Sequence, residues 1–263
     1  LFITVSQSGE TADTLAALQK AKTMGYLSTF AICNVASSAL VRASEHVCLT
    51  RAGVEVGVAS TKAFTTQLAA FLMLSAALCP DDTRANEVLL QLRQLPMHCE
   101  RTLQMNTEIQ ALAPLFVHKA HTLFVGRGPE FPIALEGALK LKEIAYVHAE
   151  GYASGELKHG PIALIDDDMV NIAIVGPELY EKTVSNLQEI KARRGVIVTL
   201  GPAGDKILEE MSDYYIALDF SGLEELAPLY VNVANQLLAY YTAKFKGTDI
   251  DKPRNLAKSV TVE

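Results

Sequence analysis

The chain has 263 residues, 49% of them hydrophobic and 20% charged, with 23 Lys+Arg against 30 Asp+Glu and a formal net charge of −7. That length holds one or two domains with a sizeable core, and the acidic balance excludes a general nucleic-acid footprint while leaving local anion sites open. The four cysteines (33, 48, 79 and 99) form no CxxC pair, so the expectation is free thiols in a reducing cytoplasm, with no disulfide scaffold and no structural zinc.

Leu1–Val5 is a short β-branched run that ends in Ser-Gln-Ser-Gly, the pattern of a buried strand and a turn. The chain opens inside this strand without Met, which reads as part of something longer. Thr11–Met24 has helical spacing and stops at Gly25. A strand at Leu27–Val35, a short helix at Ser37–Ala43 and a strand at His46–Thr50 follow. Ser60–Cys79 is a long apolar helix, ended by Pro80-Asp81-Asp82. Its apolar part spans about a dozen residues, short of the ~20 needed to cross a bilayer, and no signal peptide is visible. No membrane partner is expected. Residues 83–120 are helical and amphipathic.

The pattern then restarts. Thr122–Val125 is a strand, Phe131–Ala149 a helix, Met169–Val175 a strand, Leu179–Arg194 a helix, Val196–Leu200 and Tyr214–Leu218 strands, and Leu223–Phe245 a long helix. Ile3-Thr4-Val5, Leu18-Gln19 and Lys22 recur as Ile172-Ala173-Ile174, Leu187-Gln188 and Lys191, each 169 residues later (3 to 172, 22 to 191). Cys48-Leu49 falls opposite Ala217-Leu218 at the same shift. Alternating strands and helices predict two parallel, doubly wound α/β sheets flanked by helices. On repeat logic the first domain lacks its first strand and helix, which predicts an exposed sheet edge. The expected division is 1–80, a helical connection 81–120, a second domain 121–247 and a tail 248–263.

Four places carry candidate chemistry. Ser6-Gln7-Ser8-Gly9-Glu10-Thr11 joins a strand end to a helix N-terminus, where hydroxyls, free N–H groups and the helix dipole suit a phosphate monoester. Helix capping alone would use the same residue types. The matching turn of the second half, Gly176-Pro177-Glu178, carries an acid that repels phosphate, so one phosphate site per chain is expected. Glu136, Lys140 and Glu143 fall within about 60° of one another on a helix. Their flanks are apolar, which points to a cleft and proton transfer rather than a solvated ion pair. His159 stands in the loop Gly155–Pro161, where it could protonate a sugar oxygen or simply face solvent. Lys258 lies in the polar tail, and matters only if the tail folds back over a site, where a partly desolvated lysine forms a Schiff base.

Together the motifs Ser6–Thr11, Val58-Ala59-Ser60-Thr61-Lys62-Ala63-Phe64, Glu136–Glu143, Gly155–Pro161 and Pro253–Glu263 resemble the isomerase half of the glutamine–fructose-6-phosphate aminotransferases. The resemblance covers essentially the whole chain and implies two tandem SIS (sugar isomerase) domains. It implies that Ser6, Gln7, Ser8 and Thr11 hold the sugar phosphate and that Val58 and Ser60 contact the sugar. His159, from the neighbouring subunit of a homodimer, would open the fructose ring. Lys258 would form an imine at C2, and Glu143 would move the proton between C1 and C2, supported by Glu136 and Lys140. No metal or organic cofactor is implied. The family's glutaminase domain and its Cys-Gly-Thr-Ser phosphate loop are absent from these residues, so glutamine use and full phosphate affinity are not expected of this chain. The competing readings are a SIS regulator that senses a phosphosugar without turnover, a fructosamine-phosphate deglycase and a dimerisation domain.

Overall fold

The computed structural model describes residues 1–117, 119, 121–220, 223 and 226–258. It forms two compact units, residues 1–90 with the described residues from Arg254 onward, and residues 91–253.

The first unit contains β1 (Phe2–Ser6), α1 (Ala12–Lys22), β2 (Thr29–Cys33), α2 (Ala39–Ala43), β3 (His46–Leu49), α3 (Lys62–Leu78) and most of α4 (Asp82–Leu92). The three strands are parallel in the order β1-β2-β3. Each strand-to-strand crossover carries a helix, as parallel pairing requires. The core under the sheet is small. Leu18, Ala31 and Leu40 are fully buried, with Phe2, Leu15 and Ala43 packed around them. β1 is an edge strand, and its Ile3 is exposed.

The second unit begins with α5 (Leu95–Gln104), α6 (Asn106–Gln110) and a 3-10 turn at Ala113–Phe116. It continues with β4 (His121–Gly126), α7 (Glu130–Ala145), β5 (His148–Ala153) and 3-10 turns at Ser154–His159 and Pro161–Leu164. β6 (Val170–Ile174), α8 (Tyr180–Lys191), β7 (Val196–Pro202), α9 (Lys206–Met211), β8 (Tyr214–Leu218) and α10 (Ala227–Lys246) complete it. All five strands are parallel, in the order β5-β4-β6-β7-β8. This is the flavodoxin-like order, and it bears out the expected doubly wound α/β architecture.

The repeat is structural. β6, β7 and β8 stand to this sheet as β1, β2 and β3 stand to the first. Leu18 of α1 and Leu187 of α8, paired by the 169-residue shift (18 to 187), are both fully buried. β4 and β5 have no counterpart among the described residues of the first unit, so the second sheet is larger by two strands rather than the one expected.

That difference comes from β5, which the sequence pattern hides. A single helix is expected over Phe131–Ala149, but α7 ends at Ala145 because Tyr146 adopts the left-handed conformation (φ 53°, ψ 37°). Tyrosine is not a residue whose type announces that conformation. After Val147, the six residues His148–Ala153 pair with β4 along their whole length. Their sequence, His-Ala-Glu-Gly-Tyr-Ala, has little β-branched content to mark a strand. The segment Gly155–Pro161, expected as a loop, is wound into 3-10 turns. No helix among the described residues is long and apolar enough to cross a membrane.

Candidate functional site

The turn after β1 is built from its own hydroxyls. Ser6 Oγ accepts the Gly9 N–H at 2.9 Å, and Ser8 Oγ accepts the Glu10 N–H at 3.2 Å. Gly9 has φ 68°, and a Cβ there would stand 2.1 Å from Ser38 Oγ, so the turn lies flush on the start of α2. Glu10 ties the same junction by accepting the Ala39 N–H at 2.8 Å. Thr11 is the N-cap of α1, yet its side chain makes no capping hydrogen bond. The Ser6 and Ser8 hydroxyls therefore close the turn ahead of α1, and the Thr11 hydroxyl at the N-cap does not cap the helix. The N–H groups of the first α1 turn have no intrahelical partner, and with the dipole they favour an anion.

A pocket of about 620 Å³ opens at the carboxyl ends of the three strands of this unit. Gln7 and Ser8 line it after β1, Asn34 and Val35 after β2, and Arg51, Gly53 and Glu55 after β3. Lys258 lines it from the tail. Asn34 shapes the wall, because its Oδ1 accepts the Ala52 N–H at 2.8 Å and its Nδ2 donates to the Gly53 carbonyl at 2.8 Å. Of the expected binding residues, Gln7 and Ser8 reach the pocket. Ser6 is buried beneath the turn, and Val58 and Ser60 sit half-buried on the loop leading to α3.

Lys258 holds two partners in this unit. Its Nζ lies 3.0 Å from Glu55 Oε2 and donates to the Gly57 carbonyl at 2.6 Å. Glu55 is itself buried, and its other oxygen accepts the N–H groups of Thr61 at 2.8 Å and Ala63 at 3.2 Å. Burial alone raises such a carboxyl, but the Thr61 N–H, Lys258 and the Ala63 N–H together hold it below the ordinary carboxylate value. Glu55 and Arg51 are absent from the residues singled out by sequence. The available signal for Glu55 is a lone acid in a run of small and apolar residues, Gly53-Val54-Glu55-Val56-Gly57-Val58-Ala59. The last residues of the tail motif, 259–263, lie outside the described residues.

In the second unit, Glu136, Lys140 and Glu143 do share one face of α7. Lys140 Nζ lies 2.5 Å from Glu143 Oε2 and 3.4 Å from Glu136 Oε1. The shorter contact is a hydrogen bond, whereas the Glu136 contact is an ion pair without hydrogen-bond alignment. The Lys140 side chain is 3% accessible and that of Glu143 22%, so this is no solvated surface pair. Burial pushes the Glu136 carboxyl up, against the pull of Lys140 and with the repulsion of Glu143. α7 lies close to its neighbours at Gly137, where a Cβ would stand 2.7 Å from Phe124 of β4 and 2.8 Å from Asn235 of α10. That packing leaves no room for a larger residue and fixes the angular position of the charged face. His159 is exposed at the end of its 3-10 turn.

The matching turn of this unit is acidic. Glu130, at the start of α7, is buried against Gly176, and its carboxyl is pushed up to about 7 by burial and by the nearby Glu178 charge. Two carboxyl groups at these strand ends oppose an anion. A second cavity, also about 620 Å³, includes His121 and His148 and lies at the amino ends of β4 and β5. It contains none of the expected residues and is at the opposite end of the sheet from where doubly wound folds bind ligands. Among the described residues, no group of three or more His, Cys, Asp or Glu is placed to hold a metal ion.

The SIS domain family profile matches residues 1–77 and 115–244. A glutamine–fructose-6-phosphate aminotransferase [isomerizing] of Legionella pneumophila is 61% identical over 264 residues, covering 100% of this chain and 43% of that protein. One of the same name from Pseudomonas aeruginosa is 52% identical over 270 residues, covering 100% of this chain and 44% of that protein. The chain thus spans less than half the length of these relatives. The solved C-terminal domain of glucosamine-fructose-6-phosphate aminotransferase from Francisella tularensis superposes with a TM-score of 0.90 at 45% identity, over 96% of this chain and 73% of that one. Tagatose-6-phosphate ketose/aldose isomerase from Escherichia coli, at 18% identity and a TM-score of 0.77 over 97% of this chain and 71% of that one, shares the fold. These matches bear out the resemblance drawn from the five motifs: the chain belongs to the SIS domain family.

Proposed function

We propose that the chain carries the sugar-isomerising chemistry of a glutamine–fructose-6-phosphate aminotransferase, converting fructose 6-phosphate and ammonia into glucosamine 6-phosphate. The observation that carries this reading is Lys258, a tail residue whose ammonium reaches into the same pocket as Gln7 and Ser8. A sensor needs the hydroxyl-rich turn but has no need of a lysine delivered beside it.

In this reading Ser6, Gln7, Ser8, Thr11 and the first turn of α1 hold the phosphate. Val58 and Ser60 contact the sugar. The phosphate anchor orients the chain of carbons, so the reacting centre is fixed while the anchor lies several atoms away. His159 of a neighbouring subunit opens the ring. The Lys258 amine then adds to the C2 carbonyl, and water leaves as the imine forms. Ammonia attacks C2 and displaces the lysine, giving fructosimine 6-phosphate. Glu143 removes a proton from C1 as the imine nitrogen takes one up, giving an enamine with a C1–C2 double bond; C2 then gains a proton as the C1 hydroxyl loses its own, which leaves an aldehyde at C1 and an amine at C2. Lys140 holds Glu143 in place through its hydrogen bond, and Glu136 balances Lys140. The reading places the reaction in the cytoplasm, in a homodimer, with a glutaminase domain outside these residues as the source of ammonia. It requires no metal or organic cofactor.

The test is conversion of fructose 6-phosphate in the presence of ammonium, with glucosamine 6-phosphate measured directly. Turnover is expected, with a loss of about 10²–10⁴-fold in Glu143→Gln. Retained binding of fructose 6-phosphate with no product would overturn the reading in favour of a phosphosugar sensor.

A further inference from the structure

We propose that Glu55 is a positioning residue for Lys258, a fixed anion that draws the tail lysine into the pocket and holds it beside Gln7 and Ser8 until the sugar phosphate arrives. The proposal rests on the reading that Lys258 attacks the sugar carbonyl, and it adds how the lysine is delivered.

The two partners are built differently. The Glu55 side chain is 3% accessible and that of Lys258 is 31%. Oε1 of Glu55 is tied by two backbone N–H groups, from Thr61 at 2.8 Å and Ala63 at 3.2 Å. These hydrogen bonds stop the carboxylate from turning and leave Oε2 for Lys258. Both N–H groups lie at the start of α3, where the helix dipole also favours a negative charge. The anion is therefore part of the scaffold, while the cation sits on a tail that must be brought to it. The Gly57 carbonyl, 2.6 Å from Nζ, supplies the second contact. A buried carboxylate with one oxygen satisfied by the backbone and the other aimed at a pocket needs a cation, and Lys258 meets that need.

The contact also sets an order of events. Lys258 Nζ is engaged by Glu55 and the Gly57 carbonyl, and the same nitrogen must bond to C2 to form the imine. Lys258 thus has to leave Glu55 as it engages C2, so capture of the sugar and release of the lysine are one movement. Arg51 lines the same pocket, and Lys62 begins α3 beside Gly53. Neither removes the requirement for Glu55, since both carry the sign of Lys258 and oppose its approach.

The experiment measures the rate of Lys258 acetylation by acetic anhydride at one fixed pH, read from the mass of its peptide, with exposed Lys252 as internal reference. Glu55→Gln keeps an oxygen for the Thr61 and Ala63 N–H groups and removes the charge that holds the lysine. Lys258 is then expected to react several-fold faster relative to Lys252. Glu55→Asp keeps the charge and is expected to restore most of the protection. Equal relative rates for Glu55→Gln and the unaltered protein would overturn the proposal, and so would an equal rise at Lys62, which marks a disturbed start of α3 rather than a released tail lysine. In parallel, borohydride trapping with fructose 6-phosphate is run on the unaltered protein. Faster Lys258 acetylation in Glu55→Gln with no sugar adduct on the unaltered protein would overturn the covalent reading while supporting the pairing of Glu55 with Lys258.

Discussion

Glu130→Gln is expected to stabilise the protein at pH 8, and the size of the effect follows from one buried carboxyl. Glu130 is 3% exposed, packs against Gly176 and leaves Oε2 without a hydrogen-bond partner. Its carboxyl is raised from 4.5 to about 7, chiefly by burial and further by Glu178. Between these values the folded protein keeps a proton that the unfolded chain has shed. Stability therefore falls as pH rises across this window, and the penalty is complete above pH 7. At about 1.4 kcal/mol per pH unit, the group costs about 3 kcal/mol at pH 8 and almost nothing below pH 4.5. Glutamine has the same shape and no charge, so the variant is expected to lose this slope and to gain up to about 3 kcal/mol at pH 8. Urea unfolding followed by circular dichroism at pH 5, 6, 7 and 8 measures both. A variant whose stability runs parallel to the unaltered protein across that range would refute the reasoning.

Three other perturbations probe the rest of the account. Lys140→Met leaves Glu136 and Glu143 facing each other without a cation, and breaking a buried pair in this way costs about 3–5 kcal/mol. The loss is expected to be greater at pH 8 than at pH 5, because burial raises the Glu136 carboxyl and lower pH favours its neutral form, and thermal melts at the two pH values would show it. Gly9→Ala forces a Cβ to within 2.1 Å of Ser38 Oγ at φ 68°. Isothermal titration should show weaker binding of fructose 6-phosphate by at least about tenfold, since a misplaced anchor loses more than 1.4 kcal/mol. Asn34→Ala removes the amide that joins the Ala52 N–H to the Gly53 carbonyl. It should raise the KM for fructose 6-phosphate more than it lowers kcat, because it disorders the pocket wall rather than a reacting group.

Much of the fold is legible in the sequence because parallel strands and their crossovers carry strong local signals. The 169-residue repeat pairs Leu18 with Leu187, and both prove to be fully buried core positions. What fails is local and has a physical cause. β5 is hidden because its neighbours supply the pairing that its own composition does not advertise. The end of α7 depends on a left-handed Tyr146, a conformation that no turn residue marks.

The candidate site is legible to a different degree in each unit. The charged face of α7 is visible from spacing and flanking apolar residues, and Lys140 lies buried between the two acids as that pattern suggests. The hydroxyl-rich turn is visible too, although its serines spend part of their bonding capacity on the turn itself. Glu55 is not visible. It lies 203 positions from Lys258 (55 to 258), and its meaning comes entirely from the tail folding back to it. No local pattern encodes such a contact.

The most direct test of the account is borohydride reduction in the presence of fructose 6-phosphate, followed by peptide mass mapping. The account predicts a sugar-phosphate adduct on the Lys258 peptide, absent from Lys258→Met and reduced in Gly9→Ala. Fructose 6-phosphate that binds the protein but leaves Lys258 unmodified would contradict it.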